Sequence, residues 1–406
     1  MFAMGDAFKH AGIVGGPVLT FILGIICIYN NHVLVNCSNL MRDRRKMDKG
    51  PNFPVTVEMC FEEGPDSFKR WSNLARKSVK AFVIITQLGF CCVYFVFVSS
   101  TIKYVVDPHN LILDVRVWMV IVFVPIVMSC MVRSLKYLAP ISLGSNLCVC
   151  TALLLTLYIS FQDLPDASSR PLFAHWTNLP LFFGTTIYAF EGISLVLPLQ
   201  NEMKNTRRFG TTFGVLNLGM SVVTTLLILV GFVGYLKYGD GVQGSLSLNL
   251  PKNDPLSDSV QAMLALGIAS TFALQFYVAS DLIWQDVKAR FGPFSRPLTW
   301  EILLRFMLVL FTMLLAAVIP MLGLFISLIG AVSSTALALV FPALSDMALR
   351  CAPPANGPLK SKHHFFRLSI DAVTLIVAFV GFVSGTYCSI SQIVHAFQTG
   401  EDQGGH

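Results

Sequence analysis

Charge is what this 406-residue chain has least of: Asp, Glu, Lys and Arg together make up 13% of it, against roughly 25% in soluble domains. Hydrophobic residues fill 54% and the mean hydropathy is +0.66. So few charges cannot cover that much apolar surface in water, which excludes a disordered chain and a soluble enzyme of several domains. Sequence signatures are missing too. No Walker A sequence is present for pumping by ATP, and neither HExxH nor GxSxG appears. The acids are too scattered for a paired-carboxylate site, and no filter of the TVGYG type suggests a channel. No basic run is interleaved with stacking aromatics, so nucleic acid is not a partner; the lipid bilayer is. No His/Cys cluster has metal-ligand spacing, and no cofactor is implied. The chain reads as an all-α polytopic membrane protein, not an enzyme, and secondary transport is the class that survives.

What is present in quantity is long apolar runs. Ten reach the 18 or so residues needed to cross about 30 Å of hydrocarbon: 13–38, 79–106, 117–134, 138–161, 179–199, 210–236, 259–283, 302–320, 322–345 and 368–394. Their continuous rather than alternating hydrophobicity excludes barrel strands. The tightest joins are expected at Pro140 and Pro320, where the missing amide hydrogen marks a bend.

The loops carry the charge, unevenly. Alternate loops on one side hold 22 of the 29 Lys/Arg, ten of them within 42–80, with Arg133, Lys136, Lys204, Lys288, Arg350, Lys360 and Lys362 in later loops. Only six, among them Lys9, Lys237 and Lys252, fall on the other side, beside ten acids including Glu401. The positive-inside rule places loop 42–77 in the cytoplasm and the tail 395–406 outside or in a lumen. Ten spans then start the chain outside, yet residues 1–12 lack the basic and apolar regions of a signal peptide. Phe2, Met4, Ala7 and Phe8 instead resemble the end of a helix, and the expectation is that 1–12 is the remnant of a truncated first span. None of the ten cysteines lies in an outside loop. Cys37, Cys60 and Cys351 are expected to face the cytoplasm, seven others to pack within spans, and no disulfide framework is implied.

Polar residues inside spans are the best functional pointers, because an unpaired polar group in lipid is expensive. Span 179–199 contains Gly184-Thr-Thr-Ile-Tyr188-Ala-Phe190-Glu191-Gly192. Glu191 is read as the one carboxylate deep in any span, at a cost of about 2.5–3.5 kcal/mol on insertion scales. Gly184, Tyr188, Glu191 and Pro198 fall on one helical face, and Gly192 suits a discontinuous helix whose opened backbone can meet a zwitterion. A Glu neutralised by protonation or by a neighbouring helix, for structure alone, is the plainer alternative. Gln87, Cys91 and Tyr94 form a second stripe at i, i+4 and i+7. Span 259–283 adds Gly267, Ser270, Thr271, Tyr277 and Asp281, and span 322–345 adds Ser327, Gly330, Ser333, Ser334 and Thr335. Small-residue packing explains these as well as ligand contact does. His32 and His10 are weaker proton candidates.

The block ITQLGFCCVYFVF at 85–97 resembles the proton-coupled amino acid transporters, of the amino acid/auxin permease branch of the amino acid–polyamine–cation superfamily. AGIVGGP at 11–17, LKYLAP at 135–140, FFGTTIYAFEGISLVLPLQNEM at 182–203, SLNLP at 247–251, ALQFYV at 273–278 and SLIGAVSSTALALVFPAL at 327–344 continue the likeness in order. AMGDAFKHAG looks closest to insect members. The resemblance implies an inverted five-plus-five helix repeat with an extra C-terminal span, the first and sixth spans broken at the substrate. It implies symport of small neutral amino acids of the proline, alanine and glycine type with protons, at a plasma or lysosomal membrane, and nutrient-signalling partners for some members. Carried over by motif, Tyr188, Phe190, Glu191 and Gly192 form the break of the sixth span, Gln87, Cys91 and Tyr94 belong to the third, and Phe276 and Tyr277 to the eighth. Glu191 is the coupling candidate. The family's glycine-rich first-span break, expected before Met1, and its outside cysteines are missing. A transport-incompetent isoform acting as a sensor or scaffold is therefore the rival reading.

Overall fold

A computed structural model describes residues 1–106, 113–132, 135–252, 254–293, 295–352 and 364–399. Arg133, Lys360, Lys362 and Glu401, used above in counting charge, lie outside them, as does the side chain of Lys136. Among the described residues the chain is helical, without strands, and nine helices are long and apolar enough to span a membrane; a tenth apolar helix, Val115–Cys130, is shorter. These ten coincide with the ten apolar runs.

In chain order, a short α1 (Met4–Lys9) precedes α2 (Gly15–Arg44). α1 buries Met4, Ala7 and Phe8 completely and lies inside the bundle. The stretch 42–80, read as a loop, contains two helices, α3 (Phe53–Glu63) and α4 (Asp66–Lys69). Asn52 caps α3, its side chain accepting the Val55 amide at 3.2 Å, with Pro54 in the first turn. Phe53, Val57, Cys60 and Phe61 then bury the helix beneath the bundle. Cys37 and Cys60 are consequently buried in this packing, 2% and 0% exposed, rather than open to solvent; of the three only Cys351 is exposed.

Next come α5 (Ser72–Val106), α6 (Val115–Cys130) and α7 (Leu135–Phe161). Pro140 lies inside α7, not at the join expected there; a proline near a helix start removes an amide that has no intrahelical acceptor or only a weak one. α8 (Leu179–Ala189) and α9 (Ile193–Glu202) are one apolar run in two pieces. α10 (Val215–Tyr238), α11 (Pro255–Phe291) and α12 (Pro297–Val318) follow. Pro320 does break the chain before α13 (Leu322–Ile329). Two π-helical turns, Gly330–Ser334 and Ala336–Val340, lead into α14 (Phe341–Arg350), and α15 (His364–Thr399) closes the bundle.

Two ends are chemically distinct. At one, Arg44–Glu63, Arg45–Glu62, Arg76–Glu58 and Lys80–Asp286 tie the ends of α2, α3, α5 and α11, while Lys49 reaches Glu202 of α9 at 3.4 Å. At the other, Lys9 donates to the Asp240 carbonyl (2.7 Å), Arg170 to the Leu236 carbonyl (3.2 Å) and Arg116 to the Ala317 carbonyl (3.2 Å). Lipid-facing ridges such as Val120, Val124 and Met128 of α6 remain exposed, as a membrane surface requires.

Candidate functional site

The interruption in the α8–α9 run spans Phe190, Glu191 and Gly192. The last turn of α8 tightens, with the Glu191 amide donating to the Tyr188 carbonyl (3.2 Å), and α9 restarts with Leu195 donating to Gly192 (3.0 Å). No side chain caps α9 at Gly192, so its first amides are left to other partners. A Cβ on Gly192 would meet nothing within 4 Å: open space adjoins the break.

Side chains leave this turn in different directions. Phe190, 5% exposed, lies against Gly24 of α2 and packs with Leu23, Cys27 and Leu227. Tyr188 points the other way, edge-on to Phe90 of α5 at 4.8 Å between centroids. Between them, both carboxylate oxygens of Glu191 are buried, with the Ser334 hydroxyl of the first π turn beside them and no cation paired with them among the described residues. The face predicted to run Gly184–Tyr188–Glu191 does so: Gly184 meets Ser327, Gly330 abuts Gly184 and Tyr188, and Ser334 lies by Glu191. Pro198 does not share it; the break resets the helical phase and Pro198 is exposed.

Of the other predicted residues, Cys91 and Tyr94 adjoin Tyr188, with Tyr94 tilted towards Phe272 at 6.5 Å and beside Gln275. Gln87 is 2% exposed, with its Oε1 unpartnered. Phe276 is fully buried and stacks on Phe272 at 6.3 Å. Tyr277 is not brought to this seam. Its ring carries the Arg305 guanidinium at 5.7 Å, facing α12. His32 bonds Asn217 of α10 at 2.6 Å, and Asp281 bonds Gln285 in an exposed turn.

Sequence reasoning missed several groups. Phe90, Phe272 and Gln275 flank the seam but read as ordinary apolar or isolated polar positions. Asn30 and Asn31, adjacent in an apolar span, are buried with unpartnered atoms; that doublet was a visible signal. Three further carboxylates are buried by packing: Asp371 is 0%, Asp346 6% and Glu301 7% exposed. Each stands near a run's edge, and only packing reveals its burial.

The arrangement can do specific chemistry. A helix N-terminus without a cap presents amides to an anion. A buried, unpaired carboxylate can hold a proton, and aromatic walls can enclose an apolar side chain.

Comparison with known proteins gives the context. Residues 1–391 match the family described as transmembrane amino acid transporter protein; the match includes residues 1–12. The chain is 32% identical over 405 residues to the proton-coupled amino acid transporter-like protein pathetic of Drosophila melanogaster, covering all of this chain and 84% of that one. It is 25% identical over 409 residues to the probable amino acid transporter skat-1 of Caenorhabditis elegans, covering 98% and 87% respectively. Among solved structures it resembles a Na+-coupled sialic acid symporter at 11% identity and a TM-score of 0.46, over 96% of this chain and 89% of that one. On the whole-chain match and the insect relative, this multi-pass protein belongs to the transmembrane amino acid transporter family.

Proposed function

We propose that this chain carries small neutral amino acids of the proline, alanine and glycine type across a membrane by proton symport, through residues 13–394. The observation that supports the reading best is Glu191, a carboxylate buried without a cation to pair it among the described residues at a helix break that borders open space. In this reading the substrate lies beside Gly192, its carboxylate on the uncapped amides at the start of α9, its side chain towards Tyr188, Cys91 and Tyr94. Gln87 and Phe276 support the wall behind them. Small substrates suit a seam lined by Tyr188, Phe90 and Phe272, whose rings restrict bulk.

Glu191 then takes the coupling proton. Ionised and unpaired in a low-dielectric interior it is costly; protonated it is neutral and can donate. The relative from Drosophila is named as proton-coupled, which supports the same ion here. The basic end of the bundle is assigned to the cytoplasm, in a plasma, lysosomal or vacuolar membrane, and the two five-helix halves to an inverted repeat.

Uptake of labelled proline or alanine into proteoliposomes under an inward proton gradient tests the proposal. Saturable accumulation that collapses when the gradient is dissipated is the expected result. Glu191→Gln should abolish accumulation by at least tenfold while leaving substrate exchange at zero gradient. Gradient-driven uptake that survives Glu191→Gln removes Glu191 as the coupling residue. Substrate binding without uptake would instead favour a membrane sensor.

A further inference from the structure

A second group of buried charges lies away from the α8–α9 break, where α15 meets α2 and α14. Asp371, in the second turn of α15, is 0% exposed, and Asp346 and Arg350 of α14 are 6% and 7% exposed. The Arg350 Nε donates to Asp346 Oδ2 at 2.7 Å. Tyr29 of α2 donates its hydroxyl to Asp371 Oδ1 at 3.1 Å. Asp371 Oδ2 is buried and meets no donor among the described residues; what faces it is the carboxylate of Asp346.

We propose that Asp346 and Asp371 share one proton and so form a second proton-binding site, separate from Glu191, at the joint between the C-terminal helix and the bundle. Charge balance requires it. Two carboxylates against one guanidinium leave a net negative charge in an apolar interior, and two like charges in contact cannot both stay ionised without large cost. A proton on Asp371 Oδ2 removes the net charge and turns an unpartnered acceptor into a donor towards Asp346. Both carboxylates are then satisfied, one by Arg350 and the shared proton, the other by Tyr29.

Among the described residues, the remaining ionisable groups near the pair do not supply an alternative cation: Arg367, one turn before Asp371 on α15, is exposed. α2 adds Cys37 and α3 adds Cys60, which lies against Cys37. α8 contributes only Tyr188, engaged with Phe90, and residues 322–340 carry no titratable side chain. Loss of the shared proton sets two anions against each other across the α14–α15 contact and loosens it.

Difference infrared spectra of the full chain in lipid nanodiscs, stepped in pH and recorded with and without [13C]aspartate, test this directly. The expected result is a protonated-carboxyl band that shifts with the aspartate label, is lost in Asp371→Asn and in Asp346→Asn, and persists in Glu191→Gln. Absence of any aspartate-sensitive band, or a band surviving both substitutions, overturns the proposal. If the Asn variants do not elute as folded protein, Tyr29→Phe serves: removal of the Oδ1 donor should shift the band, and an unmoved band overturns the assignment. The readout is independent of uptake, so a failure of the transport reading and a failure of this one are distinguishable.

Discussion

Two glycines, one in the α8–α9 run and one in the run that holds α13 and α14, behave as opposites. A Cβ at Gly330 would overlap the Gly184 carbonyl oxygen and press on Tyr188, so the first π turn and α8 touch backbone to backbone. A Cβ at Gly192 meets nothing within 4 Å. Gly330→Ala should therefore destabilise the protein by about 1–3 kcal/mol, as overpacking does, seen as a lower midpoint of unfolding in detergent. Gly192→Leu should fold with an unchanged midpoint but weaken substrate affinity at least tenfold, because its side chain enters the space beside the break. Equal melting of both variants would contradict the packing; unimpaired affinity of Gly192→Leu would move the substrate elsewhere. The residues at the break were legible because an acid beside a glycine interrupts an otherwise apolar run. Which way each side chain points was not: Phe190 and Tyr188 are two residues apart, and only the neighbouring helices decide that one fills the α2–α10 core while the other meets Phe90.

At the scale of elements, the ten apolar runs became helices because a backbone in lipid must satisfy its own hydrogen bonds. Their ends depended on partners. α6 is short because a cation from another helix terminates it: the Arg305 guanidinium donates to the carbonyls of Cys130 (3.0 Å) and Val132 (3.3 Å), capping its C-terminus. Arg305 also pairs with Glu301 one turn earlier on α12 at 3.2 Å, both nearly buried, and covers Tyr277. This explains why Arg305 is tolerated inside an apolar run, and why Tyr277 is turned away from the break. Arg305→Met should cost about 3–5 kcal/mol, the penalty for stranding one member of a buried pair, measured as a fall in unfolding midpoint. Replacing both, with Glu301→Leu added, should recover most of it; a double variant as unstable as the single one would refute the pairing. The helices within 42–80 were hidden for a related reason. α3 is too short and too charged to announce itself, and packs only because α2, α5 and α14 offer it an apolar floor.

For the whole molecule, the uneven distribution of Lys and Arg becomes two physically separate ends, joined by ion pairs at one and by lysine- and arginine-to-carbonyl bonds at the other. Introduced thiols report the orientation. In inside-out vesicles Lys49→Cys should react with an impermeant maleimide and Asp240→Cys should not, and right-side-out vesicles should reverse the pattern; the opposite result inverts the assignment of the basic end to the cytoplasm. The sequence by itself determined the class, the ten apolar runs that become helices and the position of one helix break. Composition and periodicity suffice for these, since lipid imposes the same demand on every span. Only the tertiary structure decided which polar residues converge. It brought Glu191 to Ser334, set Tyr188 among Phe90, Cys91 and Tyr94, and joined Asp371 of α15 to Tyr29 of α2, 342 residues away along the chain. Burial and pairing arise from contacts between distant segments, and no local pattern records them.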